Sequence, residues 1–448
     1  MLSIKFIREN SEEVKRRLAK KLIKPVLIDS VLSLDKKHRE LQQMLEGYRA
    51  EQNKISEDIS ATKDNEEKNR KVNQMQTLKA EIKKMEPEFE ASERDFKEAL
   101  RLLPNMPYDF VPDGENETAN QVLREVGQKP EFNFEFKDYI ALGEELDIID
   151  IKRAAKVSGS RFGYLKGGAA RLEFALIQFA LDILAEEGFV PVVPPVLVKP
   201  ESMHAMGCVG QDATEVFFIE KDNLYLVGTS EQSIGPMHKD EVFPENELPA
   251  RYVSFSSCFR REAGSYGKDT RGILRVHQFD KLEMFSITKP EDSQDEHKFL
   301  LSLVERFMQA LGIPYRVVLL CGGDMSRPSA VTYDIESWIP SQDTYRETHS
   351  ISDTLSFQSL DLNIKYRFLS DGNPRTQRAE QSSHDGKQQT NYVHMLNGTA
   401  FAIGRIIIAI LENYQQADGS VKIPEVLQKY MGGATEISQN SKFKIQNS

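Results

Sequence analysis

The chain has 448 residues and a formal net charge of −11, with 40% hydrophobic and 28% charged residues. That length exceeds one modest domain and allows a large core, while the acidic balance argues against general nucleic-acid binding, although a local basic stripe suffices to meet phosphates. Its three cysteines, Cys208, Cys258 and Cys321, stand far apart and never as Cys-x-x-Cys, so no thiolate zinc site is expected and a reducing compartment is.

The N-terminus, Met1-Leu2-Ser3-Ile4-Lys5-Phe6-Ile7-Arg8-Glu9-Asn10, places charges inside its short apolar stretch and does not read as a signal peptide. No apolar run approaches the roughly 20 residues that span a bilayer. A cytoplasmic, non-membrane protein is expected.

From about 28 to 103 the only glycine is Gly47, and Glu, Lys and Gln abound. Leu34, Leu41, Tyr48 and Ile55 fall seven apart, with Leu45 and Ile59 between them. The polar cluster 62–69 interrupts the pattern, which resumes as Met75, Ile82, Phe89, Phe96 and Leu103, with Leu78 and Met85 between. Two heptad-bearing helices joined by a polar turn predict an antiparallel coiled-coil hairpin, each helix about 50 Å long at 1.5 Å per residue. Pro87 is expected to kink the returning helix or remove one of its bonds. Alone, such a hairpin could simply dimerise or space. Lys54, Lys63, Lys68, Arg70 and Lys71 near its turn are candidate phosphate contacts or solvated charges.

Pro104-Asn105-Met106-Pro107 and the loop through Asp113–Glu117 mark a boundary. The expected organisation is an N-terminal helical arm (1–110), a linker (111–165), a catalytic domain (166–433) and a loose tail (434–448). In the third region strand-like runs alternate with helices such as 172–187 and 295–311. This predicts an α+β fold, an antiparallel sheet flanked by helices.

The most informative stretch lies within that domain. An apolar run, Tyr252 to Phe259, ends in Arg260-Arg261-Glu262. A Gly- and charge-rich excursion follows, then a second β-like run from Leu274 to Phe285, so the pair reads as a hairpin with a long polar tip. Strand alternation groups Arg275, His277, Phe279, Lys281 and Glu283 on one face. A cation, an aromatic ring and an acid in one row suit a nucleotide beside a small polar substrate. An arginine at a rigid strand end can fork two N–H bonds onto a phosphate, which lysine cannot. Neither a P-loop nor Gly-x-Gly-x-x-Gly occurs, so nucleotide binding must rest on arginines and the sheet.

Phe259-Arg260-x-Glu262 with Arg275-Val276-His277-Gln278-Phe279-Asp280-Lys281-x-Glu283 resembles motif 2 of the class II aminoacyl-tRNA synthetases, in its seryl-tRNA synthetase form. Gly188 to Pro195 is similar to motif 1, Asn397 to Arg405 running on to Gln416 is similar to motif 3, and Thr229-Ser230-Glu231 matches the family's serine-binding loop. The resemblance covers essentially the whole chain. It implies a homodimeric ligase that activates L-serine with ATP and Mg²⁺, without zinc, and esterifies tRNA(Ser), with tRNA(Sec) a possible second substrate. The arm would then embrace the tRNA by shape and phosphate contacts.

Residue by residue, Arg260 resembles the α-phosphate ligand and Arg405 the γ-phosphate ligand, although Arg405 could instead cap its helix. These two with Glu347 form the expected catalytic set. Phe279 resembles the ring that stacks on adenine, with Arg261, Glu262 and Val276 nearby. Thr348, His349 and Ser350 resemble the segment around the triphosphate, with Glu347 and Ser350 as the Mg²⁺ ligands. Thr229, Ser230, Glu231, Arg260, Glu283, Asn397 and Thr399 form the expected serine pocket, Glu283 accepting the side-chain hydroxyl. His277 and His349 read as structural hydrogen-bonders, and 266–272 at the hairpin tip as a contact for the tRNA acceptor end. One departure stands out: Leu360 and Asp361 replace a pair of arginines, expected beside the triphosphate. Two alternatives follow, a non-catalytic tRNA- or nucleotide-binding paralogue and a ligase that charges a non-tRNA acceptor.

Overall fold

A computed structural model describes residues 1–208, 214–263, 271–369 and 388–439. The chain divides into two compact units, Leu2–Pro104 and Asn105 onward. The first contains α1 (Ile4–Glu9), α2 (Ser11–Ala19), α3 (Pro25–Ala61) and α4 (Asn65–Arg101). Pro25 opens α3 at its first turn, where a missing N–H costs nothing. Asp64 caps α4 by accepting from the Glu67 amide at 2.8 Å, and Glu66 and Glu67 suit the positive end of the helix. That cap makes the turn shorter than the polar cluster: residues 65–69 are already helical.

The predicted seam is observed as a buried cluster of this unit. Leu45, Ile55, Leu78 and Ile82 are buried together, with Tyr48, Ile59, Met75, Met85 and Phe89 packed on them. Both helices have 37 residues, and α4 continues through Pro87. Away from the turn, His38 stacks on Phe89 and Phe96 with ring centroids 4.9 and 5.9 Å apart. Asp35, only 2% exposed, takes a fork from Arg8 at 2.7 and 2.8 Å and a bond from Arg39 at 3.1 Å.

The second unit is built on eight strands: β1 (Gln121–Val126), β2 (Val190–Val192), β3 (Ala250–Phe259), β4 (Gln278–Thr288), β5 (Tyr315–Leu319), β6 (Val331–Ile339), β7 (Thr344–Asp353) and β8 (His394–Ala402). Their order across the sheet is β1-β5-β6-β7-β8-β4-β3-β2. Neighbours are antiparallel except β2, which runs parallel to β3. Helices α5 (Gly167–Glu186), α6 (Ser293–Leu311) and α8 (Ile403–Asn413) bring Leu176, Phe179, Phe307, Ile406 and Ile407 into one core with Leu282 and Met284 of β4. Alternate β4 residues thus serve the core, leaving Phe279, Lys281 and Glu283 to the open side.

Four details differ from the sequence-based expectation. The return strand begins at Gln278 rather than Leu274, so the alternation does not extend back through 275–277. Residues 121–126, expected in a linker, form an edge strand of the sheet. The expected loose tail is paired at its start, Glu436–Ile437 lying against Val421–Lys422 with Ile437 buried. Leu360 and Asp361 sit on α7 (Phe357–Leu362), whose Leu362 joins a smaller core with Phe243, Phe285 and Tyr366. The hairpin tip at 266–270 and the last residues, 440–448, lie outside the described residues. No helix of the described residues is long and apolar enough to cross a membrane.

Candidate active site

A cavity of about 290 Å³ opens against the sheet and the first turn of α8. It is positioned by the ends of β3, β4, β7 and β8. Arg260, just past β3, donates from Nε to the Gly228 carbonyl at 3.1 Å, and its guanidinium carbon stands 5.3 Å from the Phe279 ring centroid. Across the cavity, Arg405 in the first turn of α8 donates to the Glu347 backbone carbonyl at 3.0 Å and pairs with its carboxylate at 3.1 Å. Glu262, Val276, Phe279, Thr348 and Ser350 line the space between, and Thr229, Glu231, Glu283, Asn397 and Thr399 line its deeper part. Strand pairing explains why these meet: β4 is hydrogen-bonded to both β3 and β8, with Glu283 opposite Ser254 and Thr399.

Three expected site residues point elsewhere. Ser230 is fully buried and accepts from the Ser254 hydroxyl at 2.6 Å. Arg261 bonds the Val216 carbonyl at 3.0 Å and lies over the Phe217 ring. His349 is buried against Thr348 at 2.9 Å, and burial pushes its pKa down to about 3, which leaves it neutral at physiological pH. None of the three lines the cavity. Leu360 and Asp361 do not line it either. The reason is that α7 packs into the smaller core rather than onto the strand ends. His277 takes the structural part expected of it, its Nδ1 lying 3.0 Å from the Arg260 carbonyl.

Other lining residues carry charge that the sequence reading left unassigned. Arg275 faces the cavity and pairs with Glu262 at 3.3 Å. Lys281 is buried yet lines the cavity, its Nζ 2.6 Å from Glu283 Oε2. Both belong to the stretch similar to motif 2, and their charges, Arg275 just before β4 and Lys281 on it, were the available signal. Asp334 on β6 lies opposite Ser350 of β7, and its buried Oδ1 has no hydrogen-bond partner. Nothing in the sequence near Asp334 connects it to Ser350, because strand pairing alone brings them together.

The electrostatics sort these acids. Burial pushes Glu231 up to about 7, helped by the nearby Glu283 charge and opposed by Lys281 and Arg260. Burial also lifts Asp334 well above the carboxylate range, with Glu347 adding to the effect. Glu347 itself feels burial, but Arg405 and Arg260 outweigh it and hold its pKa below the ordinary value. Of that acidic pair, Glu347 is the one that stays ionised.

Comparison with known proteins decides the kinship. Residues 1–107 match the seryl-tRNA synthetase N-terminal domain family. Residues 216–414 match the tRNA synthetase class II core domain (G, H, P, S and T). The chain is 45% identical over 408 residues to the serine–tRNA ligase of Clavibacter michiganensis subsp. michiganensis, covering 91% of each. It is 42% identical over 436 residues to that of Thermodesulfovibrio yellowstonii, covering 96% of this chain and 99% of the relative.

The chain belongs to the seryl-tRNA synthetase family.

Solved structures agree. The seryl-tRNA synthetase of Pyrococcus horikoshii, complexed with ATP, superposes with a TM-score of 0.86 at 38% identity, covering 98% of this chain and 99% of that one. The cytoplasmic serine–tRNA ligase of Naegleria fowleri, in complex with AMP, gives 0.82 at 31% identity and covers 98% and 99%. The expected class II sheet and helical arm are thus the seryl-tRNA synthetase fold. Within that family the cavity of this chain holds Arg260, Arg405, Glu347, Phe279, Glu231, Glu283 and Thr399 together.

Proposed function

We propose that this protein is a serine–tRNA ligase that makes seryl-adenylate from L-serine and ATP and then passes the seryl group to the 3′ end of tRNA(Ser). What carries the reading is the convergence, in one cavity, of two phosphate-suited arginines with a paired carboxylate and hydroxyl fit for serine. In the first step the serine carboxylate attacks the α-phosphorus in line, the bond to the bridging oxygen breaks, and pyrophosphate leaves. Arg260 would hold the α-phosphate and spread its developing charge, Arg405 and Arg275 would hold the phosphates beyond, and Phe279 would fix the adenine plane. Glu231 and Thr229 would receive the serine ammonium, and Glu283 with Thr399 its hydroxyl. A buried carboxylate left without that hydroxyl would penalise alanine strongly.

The donor set suits a hard divalent cation. Glu347, Ser350 and the orphaned Asp334 Oδ1 offer oxygen ligands only, as Mg²⁺ requires, with phosphate oxygens and waters completing its shell. Mg²⁺ held there would neutralise phosphate charge. In the second step the terminal ribose hydroxyl of the tRNA attacks the seryl carbonyl and AMP leaves. Residues 1–110 would serve as the tRNA-binding arm and 166–433 as the catalytic domain. A homodimer formed through the face bearing Phe174, Val190 and Val193 is supported by their exposure of 68, 54 and 87%. Activity in the cytoplasm and charging of tRNA(Sec) belong to the same proposal.

ATP–pyrophosphate exchange with serine, alanine, threonine and glycine tests this reading, followed by charging of tRNA(Ser). Serine-dependent exchange with charging is expected. Exchange without charging would redirect the proposal to another acceptor, and no exchange with any amino acid would overturn it.

A further inference from the structure

We propose that Lys281 is a positioning residue for serine selection, fixing one oxygen of Glu283 so that the other alone is presented to the substrate hydroxyl. The inference rests on the serine–tRNA ligase reading above. Lys281 and Glu283 are two apart on β4 and therefore share its open face. They are 7% and 2% exposed and both line the cavity. Lys281 Nζ lies 2.6 Å from Glu283 Oε2, and the Thr399 hydroxyl donates to that same oxygen at 3.3 Å. Both of these contacts fall on Oε2. One carboxylate oxygen thus carries these protein contacts, and its twin would be the acceptor offered to the substrate hydroxyl.

An ion pair this far from water is costly unless its geometry is well satisfied. Its place beside Glu231 explains what it contributes. Two carboxylates, Glu231 and Glu283, share the deep end of the cavity, with Asn397 and Thr399 as neutral neighbours. The charged and titratable groups facing them are Lys281 on β4, Arg260 beyond β3 and the buried Cys258 thiol on β3. Arg405 and Glu347 stand at the outer end. With Lys281 gone, Arg260 would be left as the near cation for both acids, and Arg260 is needed by the phosphate. One carboxyl would then hold a proton. A protonated Glu231 could no longer pair with an ammonium group. Lys281 therefore supports discrimination without touching serine.

The test compares wild type, Lys281→Met, Lys281→Arg, Glu283→Gln and the Lys281→Met/Glu283→Gln double variant by serine- and alanine-dependent pyrophosphate exchange from pH 6 to 9. Wild type must first show serine-dependent exchange; if it does not, the functional reading fails and Lys281 is not at issue. For Lys281→Met the KM for serine should rise about tenfold or more, the scale of a lost charge-assisted bond, with the KM for ATP changed less than about threefold. Serine-over-alanine preference should fall in parallel, and the pH profile should move upward. Lys281→Arg should keep the wild-type pH profile. The double variant should be no worse than Glu283→Gln alone, because the two residues act as one unit. ATP binding by calorimetry establishes that each variant is folded. An unchanged serine KM and pH profile in a folded Lys281→Met protein would overturn the proposal, as would additive losses in the double variant.

Discussion

Arg260 is held in place before any ligand arrives, by the Gly228 carbonyl and the Phe279 ring, so its guanidinium needs little reorganisation to meet a phosphate. Arg260→Ala should lower the exchange rate by about 10²–10³-fold, the usual scale for losing one preorganised donor; retained exchange would remove the phosphate assignment. Glu231 gives a second residue-level prediction. With its pKa raised to about 7 by burial first and by Glu283 second, it is neutral below that pH and anionic above it. Only the anion pairs with an ammonium group. The kcat/KM for serine should therefore fall as pH drops through 7, and Glu231→Gln should flatten that dependence while lowering the plateau. Much of this site was legible because sequence motifs and strand alternation agree at Phe279 and Glu283. Ser230, Arg261 and His349 do not line the cavity, which the motifs could not tell, because a motif match names positions but not the direction of each side chain. Asp334 was invisible for a different reason: its tie to Ser350 is a cross-strand pairing between β6 and β7, and a linear reading has no access to register.

Each long helix of the first unit depends on a narrow seam rather than on its own length. Leu45, Ile55, Leu78 and Ile82 are its buried centre, and heptad spacing exposed that seam directly in the sequence. What spacing did not give was the turn, because a cluster of polar residues looks the same whether it forms a loop or a capped first turn. Removing residues 30–102 should leave serine-dependent exchange largely intact and abolish charging of tRNA(Ser). Collapse of both activities would mean that the unit is required for folding. At the short helix α7 the expectation now runs the other way from the sequence reading. Leu360 and Asp361 do not reach the cavity, so Leu360→Arg with Asp361→Arg should change exchange less than about twofold, as for substitutions away from a site. A larger effect on charging than on exchange would locate the consequence of this departure in the second step.

Among the large apolar side chains the molecule leaves exposed are Phe174 and Val193, at 68 and 87%. Scattered apolar residues are ordinary on a protein surface, but Val193 lies in the stretch similar to motif 1 and Phe174 on the helix before it, and the proposed homodimer would bury both. Val193→Asp with Phe174→Glu should shift light-scattering mass from dimer to monomer; an unchanged mass would exclude this face. The matched lengths of α3 and α4 carry a consequence of their own. Because two 37-residue helices pair in opposite directions around a capped turn, removing seven residues from each side of that turn preserves the phase of the seam and withdraws the tip by about 10 Å. The hairpin is in that sense a ruler graduated in heptads. A series of such paired deletions would measure how far out along an RNA its grip must reach.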